Sequence, residues 1–148
     1  MAYAFTIAPT LAANQRDALE QLLYFNVNQE RLRAGIQRSI DSYGLPEILE
    51  QDGKLQVRVT RINDAQTLFA VSKFGHPMGV AIFARVVPDR IAVLHLAVMP
   101  HLQSTADINA RVLLELVEEV LRVARDTHGV DGVDVIYSQR LSARTEKL

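Results

Sequence analysis

Apolar residues crowd two neighbouring stretches, Met78–Val87 and Ile91–Met99, and fill nearly every position in both. A strand with one wet face alternates, whereas a strand apolar throughout needs cover on both sides. Pro88-Asp89-Arg90 separates the two stretches and predicts a tight turn. Asp107–Arg125 then shows a helical period, and Val133–Tyr137 reads as a further strand. The order is strand, turn, strand, loop, long helix, strand. The loop between Pro100 and Asp107 is where such a unit would place its chemistry.

The rest of the chain fits around that unit. Tyr3–Ala8 reads as a short first strand. Asn14 is a candidate N-cap for a helix with the apolar stripe Ala18, Leu19, Leu22 and Leu23. Asn28 can start a second helix, with Leu32, Ile36 and Ile40 on its stripe, Gly44 at C′ and Pro46 beyond. Pro46–Gln51 has two readings. Pro46 with Glu47 suggests one helical turn, and Asp52-Gly53 suggests a tight hairpin between Ile48–Gln51 and Lys54–Val57. Leu55, Val57 and Val59 alternate with polar residues, as in a half-buried strand near a sheet edge. Leu68–Phe74 leads through Gly75-His76-Pro77 into Met78–Val87, which makes an antiparallel meander. The long helix supplies the crossover that a parallel strand requires.

These elements predict one α/β (α+β) domain spanning residues 1–148, with a mixed, mostly antiparallel central sheet and helices on both faces. The first two helices are expected on one face and the long helix on the other. On that helix the expected core stripe is Ala110, Leu113, Leu114, Val117, Val120, Leu121 and Ala124. Arg111–Glu115, Glu118–Arg122 and Arg122–Asp126 are spaced for i,i+4 pairing. Gly129 is the expected C′ residue, with His128 placed well for the helix dipole.

Composition narrows the function classes. Apolar residues make up 49% and charged residues 22%, an ordinary globular balance. The net charge of −1 and the absence of a basic stripe argue against a nucleic-acid partner. Cysteine is absent, so disulfides, thiolate metal sites and cysteine nucleophiles are excluded. No apolar run approaches the roughly 20 residues that span a bilayer. A basic leader is missing, so a cytoplasmic protein without a membrane partner is expected.

The histidines have two readings each. His95 sits mid-strand in Val93-Leu94-His95-Leu96. It is either a base able to deprotonate an amine or a core histidine hydrogen-bonded to backbone. His101 in the loop could meet a phosphate or simply be exposed. His76, before a proline in a turn, reads as structural. No histidines have ligand spacing with a carboxylate, so no metal site is expected.

The element order and the segment from Leu94 to Tyr137 resemble the GNAT superfamily of N-acetyltransferases. In that family a strand ends in a Val-x-Pro-like stretch, here Val98-Met99-Pro100. A Gln/Arg-x-x-Gly-x-Gly/Ala loop follows, then a helix with a Leu-Leu pair. Gln103 stands at the Gln/Arg position, and Leu113-Leu114 matches the pair about two residues late. Ala106 and Ile108 hold the two glycine positions. The resemblance implies an acyl-CoA donor, with backbone amides of Ile91–Met99 holding the pantetheine and acyl carbonyl. It assigns cofactor contact to Val98, Gln103, Ser104, Thr105, Ala106 and Ile108, and makes His95 the candidate base. The family's glycines let backbone N–H groups approach a pyrophosphate. Ile108 crowds that approach, and Asp107 adds a repelling carboxylate.

Two functions are therefore carried forward. One is an acyl-CoA-dependent N-acyltransferase with a degenerate pyrophosphate loop. The other is a non-catalytic, dimeric GNAT-like interaction module that has lost coenzyme A. Weak or absent binding of acetyl-CoA or coenzyme A is expected either way. Family members usually continue with another helix and two strands, but ten residues follow Ser138 here. An uncovered edge at Val133–Ser138 would then favour a homodimer.

Overall fold

Both faces of the central strand pair are covered, as their composition demands. The structure, a computed structural model, describes residues 5–24, 37, 40–62, 64–99, 106–135 and 144–147. The elements are β1 (Phe5–Ala8), β2 (Leu11–Ala12), a 3₁₀ turn (Ala13–Gln15), α1 (Arg16–Tyr24), β3 (Pro46–Gln51) and β4 (Lys54–Val59). They continue with β5 (Gln66–Ser72), β6 (Pro77–Val87), β7 (Arg90–Val98), α2 (Ala106–Arg125), β8 (Gly132–Val135) and β9 (Arg144–Lys147). A six-stranded sheet has the order β1-β5-β6-β7-β8-β9, and a three-stranded sheet has the order β2-β4-β3. β7 and β8 pair in parallel through the α2 crossover, while the other named pairs are antiparallel. No helix among the described residues is long and apolar enough to cross a membrane.

The large sheet separates two cores. On one side Val112, Leu116, Val117, Val120, Leu121 and Ala124 of α2 pack on Ala81, Phe83, Val93, Leu96 and Val98. On the other, Leu19, Leu22 and Leu23 of α1 and Leu55, Val57 and Val59 of β4 pack on Phe69, Val80, Ile82 and Leu94. Among the described residues the second cover is α1 together with a small sheet and the helical residue Tyr43; most of the expected second helix lies outside them. The expected start of the second helix at Asn28 lies outside the described residues. Residues 40–43 are helical, and Gly44 closes them as expected, with φ of 102° and its N–H donating to the Ile40 carbonyl at 2.8 Å.

Residues 46–59 resolve the open choice in favour of a hairpin. Gln51 pairs with Lys54, and Asp52 and Gly53 take φ of 54° and 77°. Two successive positive φ values make the turn whose twist matches the flanking strands. β4 is not near the edge of the large sheet. It is the middle strand of the small one, because Leu55, Val57 and Val59 seal the large sheet's face. A buried hydroxyl ties the two sheets. Thr67 Oγ1 of β5 accepts from the Val57 N–H at 3.1 Å and donates to its carbonyl at 3.0 Å.

Four further expectations need correction. Asn14 lies inside the 3₁₀ turn, and α1 begins at Arg16. On α2, Leu114 is 52% exposed while Val112 and Leu116 are fully buried. The phase is set by Gly79 of β6, where a Cβ would lie 2.7 Å from Val112 Cγ1 and 3.0 Å from Leu116 Cδ1. α2 ends at Arg125, four residues before Gly129. There Thr127 Oγ1 donates to the Val123 carbonyl at 2.7 Å. Arg111 pairs with Glu115 at 3.1 Å as expected, but Arg122 takes Glu119 instead of Glu118.

The last correction concerns the outer edge of β8. β9 pairs with it antiparallel, from Gly132↔Lys147 to Val135↔Arg144. From Val133 to Val135 the edge that favoured a homodimer is therefore occupied by the chain itself, and residues 136–138 of it lie outside the described residues.

The seat of α2 gives a stability test. Gly79→Ala forces a methyl into the Val112–Leu116 contact and beside the Ala97 carbonyl, 3.2 Å from the ideal Cβ. Overpacking of this kind costs about 1–3 kcal/mol. Urea unfolding should show that loss at unchanged m-value. A change within about 0.5 kcal/mol, the size usual for surface substitutions, would contradict the close seating.

Candidate functional site

The candidate site lies where β7 ends and α2 begins. β7 runs to Val98, the Met99 N–H donates to the Met78 carbonyl at 2.9 Å, and α2 starts at Ala106. The opposite end is fixed by two arginines. Arg85 Nε donates to the Pro88 carbonyl at 2.7 Å, and its Nη2 donates to the His128 carbonyl at 2.9 Å. His128 thus serves this corner through its carbonyl. Arg90 grips both Asp134 carboxylate oxygens, at 2.9 and 2.8 Å. Those hydrogen bonds raise the Arg90 pKa further. The turn before β7 and the loop before β8 are joined once more by the Asp131 N–H and the Asp89 carbonyl, 2.7 Å apart.

A β-bulge shapes β7 near its middle. Ile82 pairs with His95 and Phe83 with Val93, so Leu94 is an extra residue in the ladder. Val93 and Leu96 both face α2, with two residues between them. Leu94 and His95 therefore share the face that packs on α1 and the small sheet. A bulge re-aims a side chain in this way.

His95 is 5% exposed, and its ring hydrogen-bonds the Gly44 backbone. Burial pushes its pKa down to about 4, and the Gly44 bond opposes that shift without cancelling it. The ring is neutral at pH 7 and is a weak proton acceptor there. Val98 is fully buried on the opposite face, against α2. The sheet thus separates the expected base from the expected cofactor contact. Gln103, Ser104, Thr105 and His101 lie outside the described residues. Ala106 and Ile108 are the first and third residues of α2, and Asp107 is the second. His76 is structural as expected: its Nδ1 lies 3.0 Å from Gln15 Oε1, tying the β5–β6 turn to the 3₁₀ turn.

Residues that sequence reasoning missed are Leu94 as the bulge and Gly44 as the partner of His95. A polar residue inside an apolar strand was the available signal for the second. It announces that a partner exists without saying which.

Strand order, the parallel β7–β8 pair and the α2 crossover give the chain a mixed α and β fold with the element order that the sequence resemblance implies. No family model matches the chain, and no curated protein matches it. Two solved structures are similar in shape. One is an acetyltransferase of the GNAT family from Staphylococcus aureus Mu50, 14% identical, with TM-score 0.48, covering 89% of this chain and 72% of that one. The other is a nourseothricin acetyltransferase, 16% identical, with TM-score 0.44, covering 89% of this chain and 72% of that one. At such identities and scores neither likeness carries the functional argument.

The buried ring predicts a pH dependence with a definite sign. Unfolded, His95 has the ordinary pKa of 6.5, and folded it has about 4. Between those values the unfolded chain binds a proton that the folded chain refuses. Stability contributed by the neutral ring is full above pH 6.5 and is lost as pH falls toward 4. The loss totals roughly 3 kcal/mol, at 1.36 kcal/mol per pKa unit. His95→Gln should remove this share of the acid slope in urea unfolding between pH 7 and 4.5. Equal slopes in variant and parent would contradict the burial of the ring.

Proposed function

We propose that this chain is a divergent GNAT-like acyltransferase that takes an acyl-CoA, such as acetyl-CoA, and holds it weakly. The observation that carries this reading is the register of β7 on β8. It runs from Arg90↔Gly132 to Val93↔Val135, beside the crossover helix. Ligands of open sheets lie outside the carboxyl ends of parallel strands, where a helix N-terminus offers its N–H groups. Here that place is the end of β7 and the first turn of α2.

The phosphate end fits coenzyme A poorly. Asp107 brings a negative charge to the second position of α2, at the end whose dipole attracts phosphate. Ile108 stands where the family has glycine. No step of acyl transfer is assigned to a described side chain, and His95 at about 4 offers little basicity at neutral pH.

A second reading, a non-catalytic GNAT-like interaction module, draws on Asp107 and on the burial of His95. As a homodimer it would use a surface other than the outer edge of β8, which β9 occupies. Sedimentation would then report twice the 16.5 kDa chain mass.

Calorimetry with acetyl-CoA separates these readings. The expected dissociation constant is well above the low micromolar range. Asp107→Gly together with Ile108→Gly should tighten binding about two- to fivefold, the worth of one charge at a helix N-terminus. A low-micromolar constant for the parent would overturn the weak grip. No binding by either protein at millimolar ligand would overturn the acyl-CoA reading and leave the interaction module.

A further inference from the structure

Two parts of the fold meet at His95, the β7 bulge and the helical residues that end at Gly44, and the β3–β4 hairpin follows closely on Gly44. The bulge turns the ring away from α2, and the ring bonds the Gly44 backbone. Gly44 admits no side chain, since a Cβ there would lie 2.0 Å from Thr60 Oγ1. The corner around it is internally bonded. The Leu45 N–H donates to Thr60 Oγ1 at 3.2 Å, and the Thr60 N–H donates to the Leu45 carbonyl at 3.2 Å. The Arg61 N–H donates to the Tyr43 carbonyl at 3.0 Å, and the Arg61 guanidinium to the Asp41 carbonyl at 2.6 Å. Asp41, Ser42, Leu45 and Arg61 are exposed, while Tyr43, Ile48 and Ile62 are only partly buried against the core. Such a unit sits at the low end of local stability.

We infer that His95 is a latch: its ring holds the Gly44 corner against β7, and acid releases that corner while α2 and its face of the sheet stay folded. The inference does not rest on the acyltransferase reading. A positive charge on the ring would sit in an apolar layer, and lifting the corner is the local way to hydrate it. Among the described residues, nearby charges offer it no relief. On β6 and β7, Arg85 and Arg90 lie at the opposite end of the sheet. On α1, Arg16 and Glu20 pair with each other at 3.3 Å, and the Tyr24 hydroxyl donates to the Pro46 carbonyl at 2.6 Å. On the hairpin, Glu47 and Arg58 pair at 2.9 Å. At the corner itself, Asp41 and Arg61 are exposed. Burial first and the Gly44 bond second set the ring's affinity for protons.

Hydrogen exchange tests the latch without any ligand. Protection of the Gly44, Leu45, Thr60 and Arg61 amides, corrected for intrinsic exchange rates, is compared with that of Val120 and Leu121 in α2. The corner should be less protected than α2 at every pH. Its protection should fall by up to about tenfold per pH unit between 6.5 and 4, the slope of one linked proton. His95→Gln can still donate to Gly44 but cannot titrate, so its corner should stay closed with no acid slope. His95→Leu should lower corner protection at pH 7. Corner and α2 amides exchanging together as one unit would overturn the latch. So would an acid slope that survives in His95→Gln, or a corner that His95→Leu leaves as protected as before.

Discussion

β6 and β7 carry apolar side chains to both sides of the sheet, and the rest of the molecule is arranged to keep those sides dry. Val80, Ile82 and Leu94 point one way, and Ala81, Phe83, Val93 and Leu96 the other. One cover cannot serve both. Among the described residues, α2 supplies one layer, and α1 with the small sheet supplies most of the other. The same demand explains Gly79. A strand buried this tightly under a helix needs one position without a side chain, so that Val112 and Leu116 can settle. The Thr67 hydroxyl, bonded to both backbone groups of Val57, fixes the small sheet at a set position on the large one. An unmade bond there would leave buried polar groups unsatisfied.

Much of this was legible in the residues. The uninterrupted apolar runs of β6 and β7, the helical period of α2 and the Asp52-Gly53 turn each follow from a local rule. Other features lie beyond local rules. The alternation of Leu55, Val57 and Val59 shows a half-buried strand but does not say which sheet it joins. The phase of α2 depends on a glycine some thirty residues earlier, so Leu114 looks like core from periodicity and is not. β9 has the sequence Arg-Thr-Glu-Lys, with no apolar face to announce a strand. Its pairing comes from the backbone edge of β8. A bulge leaves no mark in composition, yet Leu94 decides which way His95 points.

The candidate site was legible only in outline. The end of β7 and the start of α2 are where the strand–loop–helix order places them. The sheet divides the residues expected to act together, with Val98 against α2 and His95 against the Gly44 corner. The resemblance therefore transfers as architecture more readily than as chemistry. Asp107 in the first turn of α2 is the physical reason that a weak phosphate end is proposed, and the buried neutral ring is the reason that no base is assigned.

The central claim is that an acyl-CoA, held weakly, sits at the β7–α2 end. Mapping amide chemical shifts during titration with millimolar acetyl-CoA tests it most directly. The account predicts fast-exchange shifts concentrated at Leu96–Met99 and in the first turn of α2, with Arg85, Arg90 and the amides of β8 unmoved. Shifts confined to the Arg85–Arg90 end, or none at all at millimolar ligand, would contradict it.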